Sequence, residues 1–296
     1  MATLYSLAEK NVRKTWFLMA ILVTMIIVLG WWLSSFFGNI WILVFAIGWS
    51  VLMNIGAYWW SDKIVLRWTG AKLVKKLEEP ELYRVVENLC LSVGLPMSRL
   101  FILESSQLNA FATGRNSKHA TIVITRGLLE RLDKNEIEGV ISHELSHIRN
   151  KDILLGTIIV VLGGTISLIA NISTRSSFGR KDRDRGGGAV FFIMGMLGII
   201  LAPLAAAVIQ AAISRKREFL ADASGALMTR YPKGLISALE KMSVDKDHFI
   251  KANHSTAHLF IVSPFKEKES KGWISRIFMT HPPIEARIKR LKGMKL

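Results

Sequence analysis

Acidic residues and cysteine are what this 296-residue chain has least of. Only 23 Asp and Glu stand against 39 Lys and Arg, giving a formal net charge of +16, while half of the residues are apolar. A disordered polycation would lack the apolar half, and an ordinary soluble enzyme rarely combines both extremes. The single cysteine, Cys90, excludes an intramolecular disulfide framework and suits a reducing compartment. Internal repeats are absent, and low complexity is confined to the Gly-rich run at 186–188. No nucleic-acid motif or aromatic-basic platform accompanies the positive charge, which excludes nucleic acid as a partner.

Charge itself is missing over long stretches. The 47 residues between Lys14 and Asp62 contain no Asp, Glu, Lys or Arg. One helix of that length would run roughly 70 Å, more than twice the ~30 Å hydrocarbon core of a bilayer. The stretch must fold back, and Ser34-Ser35-Phe36-Phe37-Gly38-Asn39 is the place for the turn. Residues 1–60 are therefore expected to form a transmembrane hairpin with helices at about 15–37 and 40–61. Seven of the nine tryptophans lie between Trp16 and Trp60, several of them flanking the apolar runs where interfacial aromatic belts belong. The first run is too long for a signal-peptide core and lacks a small-x-small cleavage site, so it reads as an uncleaved anchor.

Two further uncharged segments, about 153–174 and 187–214, are long enough to span. Gly163-Gly164 and Pro203 interrupt them, and the charged, Gly-rich loop 175–188 separates them. No ionisable residue lies within the apolar segments to line a path, which argues against a channel or transporter. Basic residues flank both ends of the first hairpin and none lies in its turn, which places both ends in the cytoplasm. The five positive charges of 175–185 oppose that rule if the second pair fully spans. A re-entrant or laterally embedded second pair is the alternative to four spans.

The remainder, 61–152 and 215–296, forms two pieces of a soluble domain split by the second apolar pair. Helical apolar spacing runs over 81–94, and Leu100–Leu103 and Thr121–Thr125 read as β-branched-rich strands. Asp133, with Glu136 three residues on, caps a helix expected over 134–149. That helix carries His143-Glu144-Leu145-Ser146-His147. Two histidines four apart share one helix face, so both imidazoles can reach one zinc ion. Zinc lowers the pKa of a bound water to about 7. Glu144 is placed to take a proton from that water and pass it to a leaving amine.

A catalytic zinc needs a third protein ligand. Glu218 and Asp222 share a face at i and i+4 in the helical stretch after the fourth apolar segment. Glu218 would bind the metal, and Asp222 would accept a hydrogen bond from the second nitrogen of a ligand histidine. The competing pair, His254 and His258, has the same spacing but no intervening glutamate, and reads better as a polar loop or substrate-groove face. His119 and His248 read as surface. For His147 and Glu218 to meet, the number of full spans between them must be even. Both sit within about two helical turns of apolar segments, so the site lies close to the membrane face.

With these motifs the chain resembles the HtpX-type membrane zinc metalloproteases, bacterial relatives of the CAAX prenyl proteases. The resemblance rests on H-E-L-S-H at 143–147, on E-F-L-A-D-A from Glu218, on Asn109–Gly114 and Thr125–Leu129, and on Thr280-His281-Pro282-Pro283 leading to Glu285-Ala286-Arg287-Ile288. It extends over nearly the whole chain. The resemblance implies one zinc ion held by His143, His147 and Glu218, with Glu144 as catalytic base and Asp222 supporting a ligand. It also implies a substrate-facing edge strand at Asn109, Ala110, Phe111 and Ala112, with His281 near the site and helping the oxyanion. The expected fold is an α-helical membrane protein bearing an α+β, zincin-like domain, mainly α with a small antiparallel or mixed sheet.

The expected function is a zinc-dependent endopeptidase of the bacterial inner membrane, its protease domain in the cytoplasm. Unfolded or membrane-protein polypeptides would be its substrates, and the resemblance implies quality control of misfolded or damaged membrane proteins as its role. Anionic lipid headgroups account for the positive charge beside the apolar segments. The alternative is a membrane adaptor or holdase with a structural or vestigial metal site, against which Glu144 speaks, since a structural site has no use for a base.

Overall fold

The computed structural model describes residues 4–158, 215–245, 247, 259–262 and 282–294. Helices α1 (Leu4–Phe37) and α2 (Ile40–Thr69) form the first hairpin. The turn is narrower than the polar run suggests. Ser35 Oγ bonds back to the Trp31 carbonyl (3.0 Å), so the hydroxyl is satisfied within α1 and the helix continues to Phe37. Gly38 then takes the left-handed conformation (φ +62°), and the Asn39 side chain caps α2 by accepting from the Trp41 N–H. Gly30 lies directly against Ala46, the small-residue contact that lets two apolar helices close.

Both helices are long and apolar enough to cross a membrane. Trp16, Phe17, Trp31, Phe36, Trp41 and Phe45 point away from the protein, as lipid-facing side chains do. A soluble hairpin would bury such a set. Past Ser61 α2 continues for two more turns, and Val65 and Leu66 are buried beneath the sheet against Leu103, Phe111, Val123 and Phe260. It stops at Gly70 (φ +75°), whose N–H bonds to the Leu66 carbonyl.

The sheet consists of β1 (Lys72–Leu73), β2 (Arg99–Leu103), β3 (Ala110–Thr113) and β4 (Thr121–Thr125), in the order β1-β2-β4-β3. β2 and β4 are parallel and the other pairs antiparallel, so the sheet is mixed and β3 is an edge. One face rests on the end of α2. The other supports α3 (Pro80–Ser92), α5 (Lys134–Arg149), α6 (Arg215–Thr229), α7 (Pro232–Val244) and α8 (Ile284–Lys292), with the short α4 (Arg126–Arg131) leading from β4 towards α5. Leu100, Ile122, Ile124, Leu128, Ile141 and Leu145 form the centre of this core. Mainly helical, with two long apolar helices and a small mixed sheet, the architecture is the expected one.

The helix expected from Asp133 is present with its reciprocal cap: the Asp133 carboxylate accepts from the Glu136 N–H (2.9 Å) and Glu136 accepts from the Asp133 N–H (2.8 Å). Glu136 also accepts from Ser237 (2.6 Å) and Lys241 (2.7 Å) on α7. Beyond α5, residues 153–158 are helical, and Leu154 and Ile158 lie against Met19 and Ala57 of the hairpin. Asn11 of α1 donates to the Asn150 carbonyl at the end of α5 (3.0 Å). The rest of the two apolar segments 153–174 and 187–214, and the loop 175–188, lie outside the described residues.

α5 and α7 approach at Gly139, where a Cβ would stand 2.6 Å from the Leu235 amide nitrogen. Gly139→Ala gains about 1 kcal/mol of helix propensity but forces the helices apart, at about 1–3 kcal/mol. The expected net result is a lower thermal unfolding midpoint in detergent. An unchanged or raised midpoint would mean that the helices separate at no cost.

Candidate metal centre

One turn of α5 separates His143 from His147, and their Nε2 atoms stand 3.2 Å apart. α6 crosses behind them, and the face it turns to α5 carries Glu218, Asp222 and Gly225, spaced four and three apart. Gly225 makes the crossing close, since a Cβ there would come within 3.0 Å of the His143 amide nitrogen and the Ser142 hydroxyl. At that distance the Glu218 carboxylate comes 3.9 Å from each histidine Nε2. Ligand atoms of His143, His147 and Glu218 all lie within 4.8 Å of one another.

The imidazoles are held from behind. His143 Nδ1 faces Asp222 Oδ1 at 3.0 Å, and His147 Nδ1 faces Asp152 Oδ2 at 3.1 Å. Carboxylate acceptors at both Nδ1 atoms assign the protons there, so both Nε2 atoms turn lone pairs toward the same point. Two lone pairs 3.2 Å apart repel unless a cation lies between them. The donor set, two imidazole nitrogens and one carboxylate, is one that catalytic zinc uses. With metal–ligand distances of about 2.0–2.1 Å, tetrahedral donors stand about 3.3 Å apart. The histidine pair already meets that spacing, and Glu218 needs only a small rotation to do so. The residues fit a zinc ion.

Asp222 is held in turn by Arg287 of α8, whose side chain is completely buried. Its Nε donates to Asp222 Oδ2 (2.9 Å), its Nη2 to Oδ1 (2.7 Å), and its Nη1 to the Ile261 carbonyl (2.9 Å). Burial would raise the Asp222 pKa, but the Arg287 charge and its hydrogen bonds prevail and bring it to about 2. Asp222 is therefore a carboxylate at any physiological pH. Burial lowers His143 to about 4, with the nearby Arg287 cation adding to the effect, so its imidazole stays neutral as a metal ligand must. Around His147 the balance reverses. Burial disfavours its charge, but Asp152, Glu218 and Glu144 outweigh burial and push it up to about 10. The potential that would hold a proton on His147 is the potential that attracts a metal cation.

Residue 152 reaches His147 through a tight exit from α5. Lys151 adopts the left-handed conformation (φ +55°), and the Asp152 N–H returns to the His147 carbonyl (3.2 Å). Neither Asp152 nor Arg287 was singled out for a role from the sequence. A carboxylate five residues beyond a ligand histidine was the available signal for Asp152. Arg287 stood inside a motif used only for likeness.

β3 lies beside α5 at the sheet edge. Its register on β4 turns the main-chain groups of Ala110 and Ala112 outward. At Ala110 part of that edge is already taken. The Ile261 N–H donates to the Ala110 carbonyl (3.1 Å), and the Asn109 side chain donates to the Val262 carbonyl (2.9 Å). Phe260 is buried against Phe111 and fixes this strap. Ala112 is the outward position beyond it. The structure thus brings together His143, Glu144, His147, Glu218 and Asp222, with Asn109–Ala112 on the adjoining edge. His119 is exposed, as expected. His281, His248, His254 and His258 lie outside the described residues.

A histidine pair one turn apart with an intervening glutamate, a third carboxylate donor from a crossing helix and carboxylates behind both imidazoles define a metallopeptidase. The model for peptidase family M48 matches residues 76–295. The chain is 42% identical over 302 residues to a protease HtpX homolog of Thermoanaerobacter pseudethanolicus, covering 99% of both chains. It is 44% identical over 286 residues to the Pyrococcus furiosus protease HtpX homolog, covering 96% of both. The crystal structure of S. mikatae Ste24p aligns with a TM-score of 0.49 at 20% identity, over 97% of this chain and 67% of that one. The chain belongs to peptidase family M48, as a homologue of the HtpX proteases.

Asp152→Asn removes the charge behind His147 while keeping the side chain's shape. Metal affinity, measured by competition with a chromogenic chelator, should fall about 10–100-fold. Unchanged affinity would remove Asp152 from the support of the ligand.

Proposed function

We propose that this chain is a zinc-dependent integral-membrane endopeptidase acting at the cytoplasmic face of the cytoplasmic membrane, on unfolded or damaged membrane-protein segments. The observation that carries this reading is the position of the metal donors. Two of the three, His143 and His147, sit on a helix whose end is bonded to α1 and whose continuation lies against the membrane hairpin.

His143, His147 and Glu218 would hold one zinc ion per chain. The ion, when bound, supplies a Lewis acid for the scissile carbonyl and water activation at neutral pH. Glu144, almost fully buried beside the first ligand, takes the proton from the attacking water and delivers it to the departing amine. Asp222, fixed by Arg287, and Asp152 keep the two imidazoles oriented and their Nε2 lone pairs free for the metal.

An extended substrate would add to the β3 edge at Ala112, with the 259–262 strap closing the groove at Ala110. Main-chain pairing demands little of the side chains, which suits a protease that takes unfolded polypeptides of varied sequence. His281 would complete the oxyanion contacts. The basic flanks of the hairpin suit anionic headgroups, and quality control of membrane proteins follows from a sequence-tolerant site at the bilayer surface.

Glu144→Gln should retain zinc, by elemental analysis of the detergent-purified protein, and lose casein cleavage by about 10²–10⁴-fold. Undiminished cleavage by this variant would sink the mechanism. The proposed four-span arrangement, with helices at about 15–37, 40–61, 153–174 and 187–214, places the charged loop outside the cell. Cys90 is buried, so a Ser177→Cys variant offers one reactive thiol for a membrane-impermeant maleimide. Labelling in intact cells supports full spans, and labelling only after permeabilisation favours a re-entrant pair.

A further inference from the structure

Where α2 leaves its apolar stretch, a cavity of about 450 Å³ opens between that helix and the end of the sheet. Ile55, Trp59 and Trp60 contribute apolar surface to its wall, and Lys63, Arg115 and His119 contribute polar groups. Arg115 is half-buried, and its guanidinium lies over the Trp59 ring, 4.3 Å from the centroid. It donates from Nη2 to His119 Nε2 (2.9 Å), while His119 Nδ1 faces Asn116 Oδ1 (2.8 Å). The fork is thus fixed in place with one of its five N–H groups used on His119.

Charge in the cavity is unbalanced. Asp62, the acid in its wall, is engaged at 2.8 Å by Arg99, which also lines the cavity. Among the described residues no carboxylate pairs with Lys63 or Arg115. Three cations and one carboxylate therefore line the space, and the carboxylate is paired with Arg99, which leaves Lys63 and Arg115 as surplus positive charge. The cavity is also polarised along α2. From Ile55 to Lys63 is eight residues, or about 12 Å of helix, and polarity rises along that length. Trp59 and Trp60, each about half exposed, sit at the crossover where interfacial tryptophans belong.

We infer that this cavity binds the phosphate of an anionic phospholipid, with Arg115 and Lys63 on the phosphate and Trp59 and Ile55 against the glycerol and first acyl carbons. A planar fork presents parallel N–H donors to phosphate oxygens, and a lysine adds a point charge. Apolar wall supplied by a membrane helix distinguishes a lipid from free phosphate, which has nothing to place there. The inference rests on the reading that α2 spans the membrane. Arg115 adjoins Gly114, directly after β3, so a bound headgroup would stand beside the strand proposed to hold substrate.

The test uses the full chain in detergent, observed by native mass spectrometry during titration with phosphatidylglycerol, with phosphatidylcholine and with inorganic phosphate alone. The expected result is retention of phosphatidylglycerol over phosphatidylcholine, reduced about tenfold or more in a Lys63→Ala/Arg115→Ala variant. Lys63→Ala alone, at an exposed position that does not support the fold, should lower retention by a smaller factor. Equal retention of the two lipids, or unaltered selectivity in both variants, overturns the inference. So does displacement of phosphatidylglycerol by inorganic phosphate or by an oligoglutamate peptide, which would mark a free-anion or acidic-peptide site. Alkaline carbonate extraction separates the two readings. Release of the wild-type chain from membranes defeats the membrane reading itself, whereas a chain that stays without lipid selectivity defeats only the lipid site.

Discussion

The close crossing of α5 and α6 is the constraint on which the site depends. Ligands supplied by residues 143, 147 and 218 come from helices far apart in the chain, and they meet because Gly225 lets one backbone lie against the other. A side chain at that point would separate the helices by roughly its own width. Glu218 and Asp222 would then both fall short, since they project from the same face one turn apart. The distance between two helix axes therefore fixes the third metal donor and the support of the first together. The cap at Asp133 and the ties from Glu136 to α7 hold α5 from its other side, so the crossing is gripped from both directions.

Electrostatics then divides the two histidines. Arg287 is a buried cation facing three carboxylates of the site, and its strongest partner is Asp222. Removing either member of such a pair leaves a buried charge uncompensated, which costs far more than the pair itself contributes. The pair nevertheless has a use. It keeps His143 neutral and correctly oriented, while the acidic surroundings of His147 supply the attraction for a cation. Arg287 also holds the Ile261 carbonyl, so the same guanidinium steadies the back of the metal centre and the strap that pairs with β3 at Ala110.

Much of this was legible from residue types and spacing. His143, Glu144 and His147 share a helix whose cap is written in Asp133 and Glu136, and Glu218 and Asp222 follow from the same four-residue arithmetic. The uncharged run announces the hairpin because no soluble packing hides 47 such residues. Asp152 and Arg287 escaped for different reasons. Asp152 depends on a left-handed lysine at a helix exit, a conformation that sequence signals only weakly for any residue but glycine or asparagine. Arg287 is a buried charge from a distant helix, and only three-dimensional proximity distinguishes it from the surface cations of α8. The strap on β3 was likewise invisible, because its anchor is one phenylalanine ring settling on another.

Helix α2 runs without interruption from the hairpin turn to Thr69, and its last two turns are part of the sheet's packing. No hinge separates the segment in lipid from the domain that cuts. From Ser61, the last residue of the uncharged run, to Val65 beneath the sheet is four residues, roughly 6 Å of helix. The helix therefore acts as a ruler. In the proposed membrane setting it would fix the height at which a polypeptide is presented, putting a chain level with the acyl region out of reach and one lifted clear of it within reach. Bilayer thickness and helix tilt would then set which lengths of exposed chain can be reached, a selection by altitude that requires no recognition of sequence.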